Sequence, residues 1–336
     1  MKLKQSAWWA LALVVFALFP VVVTNPFYTT IGIFTVMYMS CATSWNMFSG
    51  YSGYVSLGTA IFFGCGAYTM ALASIDWHVP GGAVQFWLVP LGGVVAMAIA
   101  VPLGAVALRV RRHTFVDITI AFFFVFQLAA INANFTGGPA GLSLALIPWQ
   151  GNAYNTPFYY VALLILVFAV VLSALVRRSR FGLQLLAIRD DEDRALGLGV
   201  KVKAVKLTGY TMSSFTVGMA GALYAMFLGQ IYPQLDFDPV FDVTVALMAF
   251  LGGFGTLLGP LVGGLILESS QQYLTATYSN GSLYLILFGA LFLIVVLFMP
   301  QGIVVKVKEI WMKRSLKDAD GVDGATPVAM AGSVKP

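Results

Sequence analysis

Charge is what this sequence has least of. Asp, Glu, Lys and Arg make up 10% of its 336 residues, against about 25% in an ordinary soluble domain, and the mean hydropathy is +0.86. A soluble globular fold is excluded. Cysteine is nearly absent: Cys41 and Cys65 both lie inside hydrophobic runs, so neither a disulfide framework nor metal-ligand spacing is expected. The two histidines, His78 and His113, fall in connections assigned below to opposite membrane faces, which excludes a shared catalytic or metal role. There is no Gly-Lys dipeptide and hence no P-loop, no HExxH and no CxxC. No catalytic residue, metal or cofactor is expected, and a nucleotide-driven machine built on this chain needs a separate ATPase.

What the sequence has in abundance is apolar residues, 59% of the total, arranged in stretches of roughly 20, the length an α-helix needs to cross about 30 Å of hydrocarbon. Segments such as 161–176 and 283–299 are apolar on every face, unlike the alternating strands of a membrane β-barrel. The expected fold is therefore an all-α polytopic membrane protein with about ten transmembrane helices, at 7–23, 28–47, 54–74, 87–108, 115–131, 158–176, 207–229, 241–255, 258–275 and 283–299. All 19 Lys and Arg then fall on one face: Lys2 and Lys4, Arg109 to Arg112, eight between Arg177 and Lys206, and six from Lys306 onward. Because such residues in short loops stay in the cytoplasm, both termini and the 177–206 segment are expected inside. The formal charge of +5 thus reports orientation in a lipid membrane and gives no reason to expect nucleic acid. The first run is too long for a usual signal-peptide core and is followed by Thr24, Asn25 and Pro26, so it is read as a retained span. The transmembrane domain is expected over 1–315, and the polar stretch 316–336 is expected to be a disordered cytoplasmic tail.

The longest charged connection, 177–206, carries Leu183, Leu186, Ala187, Ala195 and Leu198 at helical spacing. This pattern predicts a short amphipathic helix or helix pair outside the membrane, ended by Gly197 and Gly199; it is either a solvated loop or a docking site. The cluster Gly252, Gly253, Gly255, Gly259 and Pro260 breaks a hydrophobic run, as a tight packed turn or as irregular backbone beside a wet cavity. Gly137 and Gly138 give the opposite face a turn or an anion-binding nest. Ser56 and Thr59 with Gly64 and Gly66 form a small-residue face for helix packing or for a solute. Asp117 and Glu268 are the acids inside spans; Asp117 is expected to pair with the Arg109 to Arg112 cluster, and Glu268 to face a cavity or a neighbouring subunit. Asp242 stands at the outer edge of its span.

Four stretches carry a resemblance. They are Ser56-Leu57-Gly58 with Phe62-Phe63-Gly64 and Gly66-Ala67-Tyr68-Thr69; Leu108-Arg109 leading to Thr136-Gly137-Gly138-Pro139-Ala140-Gly141-Leu142; Phe181-Gly182, Ala187-Ile188-Arg189-Asp190, Glu192, Ala195, Leu198-Gly199-Val200 and Lys206-Leu207; and Gly218 to Tyr224 with Leu251-Gly252-Gly253-Phe254-Gly255-Thr256 and Gly259-Pro260. In this order, over roughly residues 45–265, they resemble the permeases of branched-chain (hydrophobic) amino acid ABC importers, most of all the larger of the two permease types. Thr59 stands where the family has a histidine, and the aromatic run Phe122 to Phe124 followed by Val125 and Phe126 is a further departure. The resemblance implies a translocation subunit of the bacterial or archaeal cytoplasmic membrane, without enzyme activity of its own. It implies two ATP-binding cassette subunits, a second, smaller permease and an extracytoplasmic solute-binding protein as partners. Gly182, Ala187, Arg189, Asp190, Glu192, Leu198 and Gly199 would couple to the ATPase, and Ser56, Thr59, Gly137, Gly138, Gly253, Gly255 and Glu268 are assigned to the translocation path. The same family includes urea and short-chain amide importers, and a secondary transporter is the alternative outside it.

Overall fold

A computed structural model describes residues 2–145, 147–277, 289–290, 293, 302–307 and 309. Its elements are α1 (Lys2–Val22), α2 (Pro26–Trp45), α3 (Thr59–Asp76), α4 (Val89–Ala107), α5 (Arg112–Asn132), β1 (Leu142–Ser143), α6 (Asn152–Arg178), α7 (Arg180–Asp190), α8 (Glu192–Gly197), α9 (Val202–Leu228), β2 (Gln230–Ile231), α10 (Pro233–Asp236), α11 (Pro239–Gly252) and α12 (Gly259–Thr277). Local chemistry sets several of the ends. Asn25 caps α2 ahead of Pro26, Ser179 caps α7, Asp191 caps α8, and Asp238 caps α11 ahead of Pro239, each side-chain oxygen satisfying an amide that the helix leaves free. Gly229, with φ of 71°, closes α9 in the left-handed conformation.

Among the described residues five helices are long and apolar enough to cross a membrane: α3, α5, α6, α9, and α4 with the tight turn that leads into it. Helix α9 is the central post. It packs along α3 and α4, while α2 joins it to α6 and α12, and α11 lies against α12 and α2. The central contact is between backbones. A Cβ at Gly66 would lie 2.0 Å from the Gly218 oxygen, and one at Gly221 would lie 2.0 Å from the Phe63 oxygen. Small residues let helices in lipid come this close.

Nine of the ten expected spans fall on helices, and the tenth, 283–299, lies largely outside the described residues, as does 316–336. The differences are informative. The third span was expected from residue 54, but α3 starts only at Thr59, because 46–58 form a π turn followed by irregular chain that runs into the bundle. A 14-residue α11 is about 21 Å long at 1.5 Å per residue, short of a roughly 30 Å core. The chain from Gly229 to Asp238 therefore dips back into the bundle before α11 begins. Asp117 is exposed and forms no ion pair, because Arg111 turns to Asp193 at 3.2 Å and Arg112 to the end of α7.

Candidate coupling and translocation site

The basic ends of α5, α6 and α9 gather around α7 and α8; this is the basic end of the bundle. The expected helix pair is present, but its register differs from the expected stripe. Leu185, Ile188 and Ala195 are the buried positions, whereas Leu183, Leu196 and Leu198 are 62%, 62% and 83% exposed. The reason is the tight start of α7. Gly182 donates its amide to the Ser179 hydroxyl at 3.2 Å, and a Cβ on it would lie 2.0 Å from the Val176 oxygen. Helix α7 thus folds directly back on the last turn of α6, and that fixes which face meets the membrane domain.

Arg189 is the pin. Its Nη1 donates to the Gly50 carbonyl at 2.8 Å, and its guanidinium lies 5.2 Å from the centre of the Phe254 ring. A Cβ at Gly255 would fall 2.1 Å from that same Nη1, and both Gly255 (φ 76°) and Gly53 (φ 74°), which also abuts Arg189, hold left-handed backbone. One side chain of the helix pair thereby touches both irregular segments, 46–58 and 253–258. Arg112 donates to the Ile188 and Arg189 carbonyls at 2.8 and 2.5 Å, satisfying the free carbonyls at the end of α7.

Glu192 makes the second attachment. Its carboxylate accepts from Lys206 Nζ at 2.8 Å and from the Tyr54 hydroxyl, and Lys206 also donates to Tyr54 at 3.0 Å. Lys206 is buried and lies 4.2 Å from the centre of the Tyr54 ring. Burial works to raise the Glu192 carboxyl, but the hydrogen bonds from Lys206 and Tyr54 and the charges of Lys206 and Arg111 outweigh it and hold it below its ordinary range.

Above these pins the two breaks are sewn together. Asn46 Oδ1 accepts from the Gly255 amide at 2.7 Å and its Nδ2 donates to the Thr256 carbonyl at 2.8 Å. Trp45 Nε1 donates to the Ser56 carbonyl at 2.8 Å, and the Leu57 amide to the Thr119 hydroxyl at 3.1 Å. Gly58 offers no side chain to cap α3, so Asp242 does it from α11, accepting from the Thr59 and Ala60 amides at 2.6 and 2.9 Å. Beside it is a cavity of about 10 Å³ lined by Ser49, Ser56, Thr59, Tyr210 and Ser213 under Trp45, Phe48 and Phe62, room for about one water. The Ser56 hydroxyl is buried there without a partner.

Ser56, Thr59, Arg189, Glu192, Gly253 and Gly255 are thus brought to one junction. Ala187 is half-buried on α7, Asp190 is exposed, and Gly199, with φ of 83°, stands in open space. Gly137 (φ 75°) and Gly138 (φ 56°) are elsewhere, in the turn after α5. That turn is clasped to the chain after α9 by the two-residue ladder Leu142 to Ile231 and Ser143 to Gln230. It follows the end of α5 at Asn132, 13 helical residues or about 20 Å beyond Thr119. Glu268 is also apart: it is 1% exposed on α12, accepts from Gln272 at 2.8 Å and has its charge next to Tyr38 and Cys41 of α2. Asn46 and Tyr54 were not singled out from the sequence, and Arg112 and Asp242 were noted there without these roles. Their partners lie up to 210 residues away, and the only signal was a polar residue at the end of an apolar run.

A multi-pass helical bundle whose interior breaks are tied to an external helix pair is the build of a membrane permease. Residues 27–296 match the family described as the permease component of the branched-chain amino acid transport system, and the chain belongs to that family. It is 27% identical over 297 residues to the high-affinity branched-chain amino acid transport system permease protein LivM of Escherichia coli K12, covering 80% of this chain and 68% of that one. LivH of Salmonella typhimurium, described in the same words, is 31% identical over 138 residues, 40% of this chain and 42% of its own. The ribose import permease protein RbsC of Bacillus subtilis is 27% identical over 151 residues, 44% and 47% of the two chains. No solved structure matches.

Proposed function

We propose that this chain is one of two membrane subunits of an ATP-driven importer of branched-chain or other hydrophobic amino acids in a bacterial or archaeal cytoplasmic membrane. It would cross the membrane ten times with both termini inside, its membrane domain covering 1–315. A second, smaller permease, two ATP-binding cassette subunits and an extracytoplasmic solute-binding protein complete the assembly. The long match to LivM favours this substrate class over the sugar named for RbsC, whose match covers under half of the chain.

In this reading α7 and α8 dock into the ATPase with the outward Leu183, Leu196 and Leu198, flanked by Asp190 and Gly199. ATP-driven movement of the pair is passed inward at two points, Arg189 and the Glu192, Lys206 and Tyr54 triangle. It separates the segments 46–58 and 253–258 and opens the hydroxyl-lined space beside Ser56 and Thr59 toward the cytoplasm. The observation that carries this is that Arg189 reaches both breaks from one external helix. The test is Arg189→Gln in the reconstituted complex. Expected is retained membrane insertion and basal ATP hydrolysis, with at least a tenfold loss of leucine uptake; wild-type uptake would overturn the transmission role.

A further inference from the structure

Asp236 has no counter-charge. It ends the short α10 and is 1% exposed, and neither carboxylate oxygen has a hydrogen-bond partner. A carboxyl group buried this way is kept neutral unless a cation is brought to pair with its ionised form. Around it the structure places aromatic rings. Phe237 stacks on Tyr68 with centroids 5.9 Å apart, and a Cβ at Gly64 would lie 2.5 Å from the Phe237 ring. The Tyr68 hydroxyl is itself buried without a partner. Gln127 holds the segment in place by donating to the Phe237 carbonyl at 2.6 Å.

Among the described residues no Lys or Arg pairs with Asp236. The Lys and Arg of the chain occur only at positions 2–4, 109–112, 177–206 and from 306 onward. The first described residue after the last long run, Gly302, packs against Gly253 at the basic end. Asp236 stands beside Gly64 and Tyr68, five to nine residues further along α3 than Thr59 and so about 8–14 Å deeper in the bundle, away from that end. The chemistry also selects the kind of cation. A calcium-like ion asks for six to eight oxygen ligands, and no group of three or more His, Cys, Asp or Glu exists among the described residues. One carboxylate among aromatic faces suits an organic ammonium group.

We infer that Asp236, with Tyr68, is a binding site for the primary ammonium group of the transported solute, closed in this conformation by Phe237. The identity of the solute rests on the amino-acid permease reading above, while the need for an external ammonium rests on the unpaired carboxylate alone. Opening requires that the segment 229–238, which holds only β2 and the single turn of α10 between α9 and α11, release the Gln127 contact and lift its Phe237 ring from Gly64. The site stands between the far end of the bundle and the hydroxyl-lined space at Thr59, so a solute held here by its ammonium group would reach the inner break next.

The test compares wild type with Asp236→Asn in the complete complex of permeases and ATPases. Expected is at least a tenfold fall in ATP-driven leucine uptake, with the stimulation of ATP hydrolysis by the binding protein retained and an unfolding temperature equal to or above wild type, because a buried carboxyl group without a partner has been removed. Isobutylammonium should raise the unfolding temperature of the wild-type complex but not of Asp236→Asn, and isobutyrate should raise neither. Wild-type uptake by the variant, an equal isobutylammonium shift in both, or no shift in wild type would overturn the site. If the wild type takes up no leucine while the isobutylammonium shift still depends on Asp236, the amino-acid reading fails and the ammonium site stands.

Discussion

Arg189 and Lys206 divide the work of attaching α7 and α8 in ways that their chemistries dictate. A guanidinium lies flat on a ring while its planar fork donates to a carbonyl beside it, a fixed geometry that a point-like ammonium on a different stem does not reproduce. Arg189→Lys is therefore expected to lose transport nearly as completely as Arg189→Gln, while Lys206→Arg, forced into a buried slot sized for a narrow stem, should fail by misfolding. Size-exclusion profiles separate the two outcomes. Glu192 adds a pH dependence whose sign is fixed. Its carboxyl is held below the ordinary 4.5, so the folded state binds its proton less readily than the unfolded chain. The attachment then contributes fully above about pH 4.5 and is lost as pH falls through the lower folded value. Thermal unfolding of the complex should show an acid limb that Glu192→Gln reduces, with lower stability than wild type at neutral pH; an unchanged acid limb would exclude this carboxylate as a source. Arg189 and Glu192 were legible in the sequence because they sit in a contiguous charged stretch with a familiar order. Asn46 and Asp242 were not, since each acts on backbone amides of a segment distant in the chain, and nothing local marks such a partner.

At the scale of elements, glycine decides where helices touch. Gly221→Ala would set a methyl 2.0 Å from the Phe63 oxygen, and separating α9 from α3 should cost about 1–3 kcal/mol as overpacking. Gly197→Ala makes a matched control: nothing lies within 4 Å of its Cβ position and it is helical, so the change should be neutral or stabilise by up to about 1 kcal/mol. Unfolding midpoints of the two variants in detergent test the contrast, which fails if they move together. Gly199 stands equally open but at φ of 83°. A bulky residue there, as in Gly199→Leu, is expected to spare insertion and abolish solute-stimulated ATP hydrolysis. The helix pair was legible from spacing, but its register was not. Periodicity shows that a helix has two faces, and only the turn at Gly182 says which of them turns toward the bundle.

For the whole molecule, the one-sided distribution of Lys and Arg was the strongest signal, and the model brings the cations between Arg109 and Lys206 to one end of the bundle. Cysteines introduced at Ala140 and at Arg194, in a background lacking Cys41 and Cys65, should be labelled by an impermeant thiol reagent from opposite faces of the membrane; labelling from the same face would reject the crossing by α6 that separates them. The spans themselves were legible because lipid imposes length and hydrophobicity. The two breaks at 46–58 and 229–238 were hidden, since both read as polar or glycine-rich connections at the ends of spans and reveal their inward course only when another segment takes up their backbone hydrogen bonds. One of those breaks also has an electrical meaning. With water admitted from the far end as far as Asp236, the insulating layer shrinks to the length of α11, about 21 Å, and the whole membrane voltage drops across it. A zwitterion with no net charge crosses so steep a field without electrical work, whereas each uncompensated elementary charge is driven or opposed by about 2.3 kcal/mol per 100 mV.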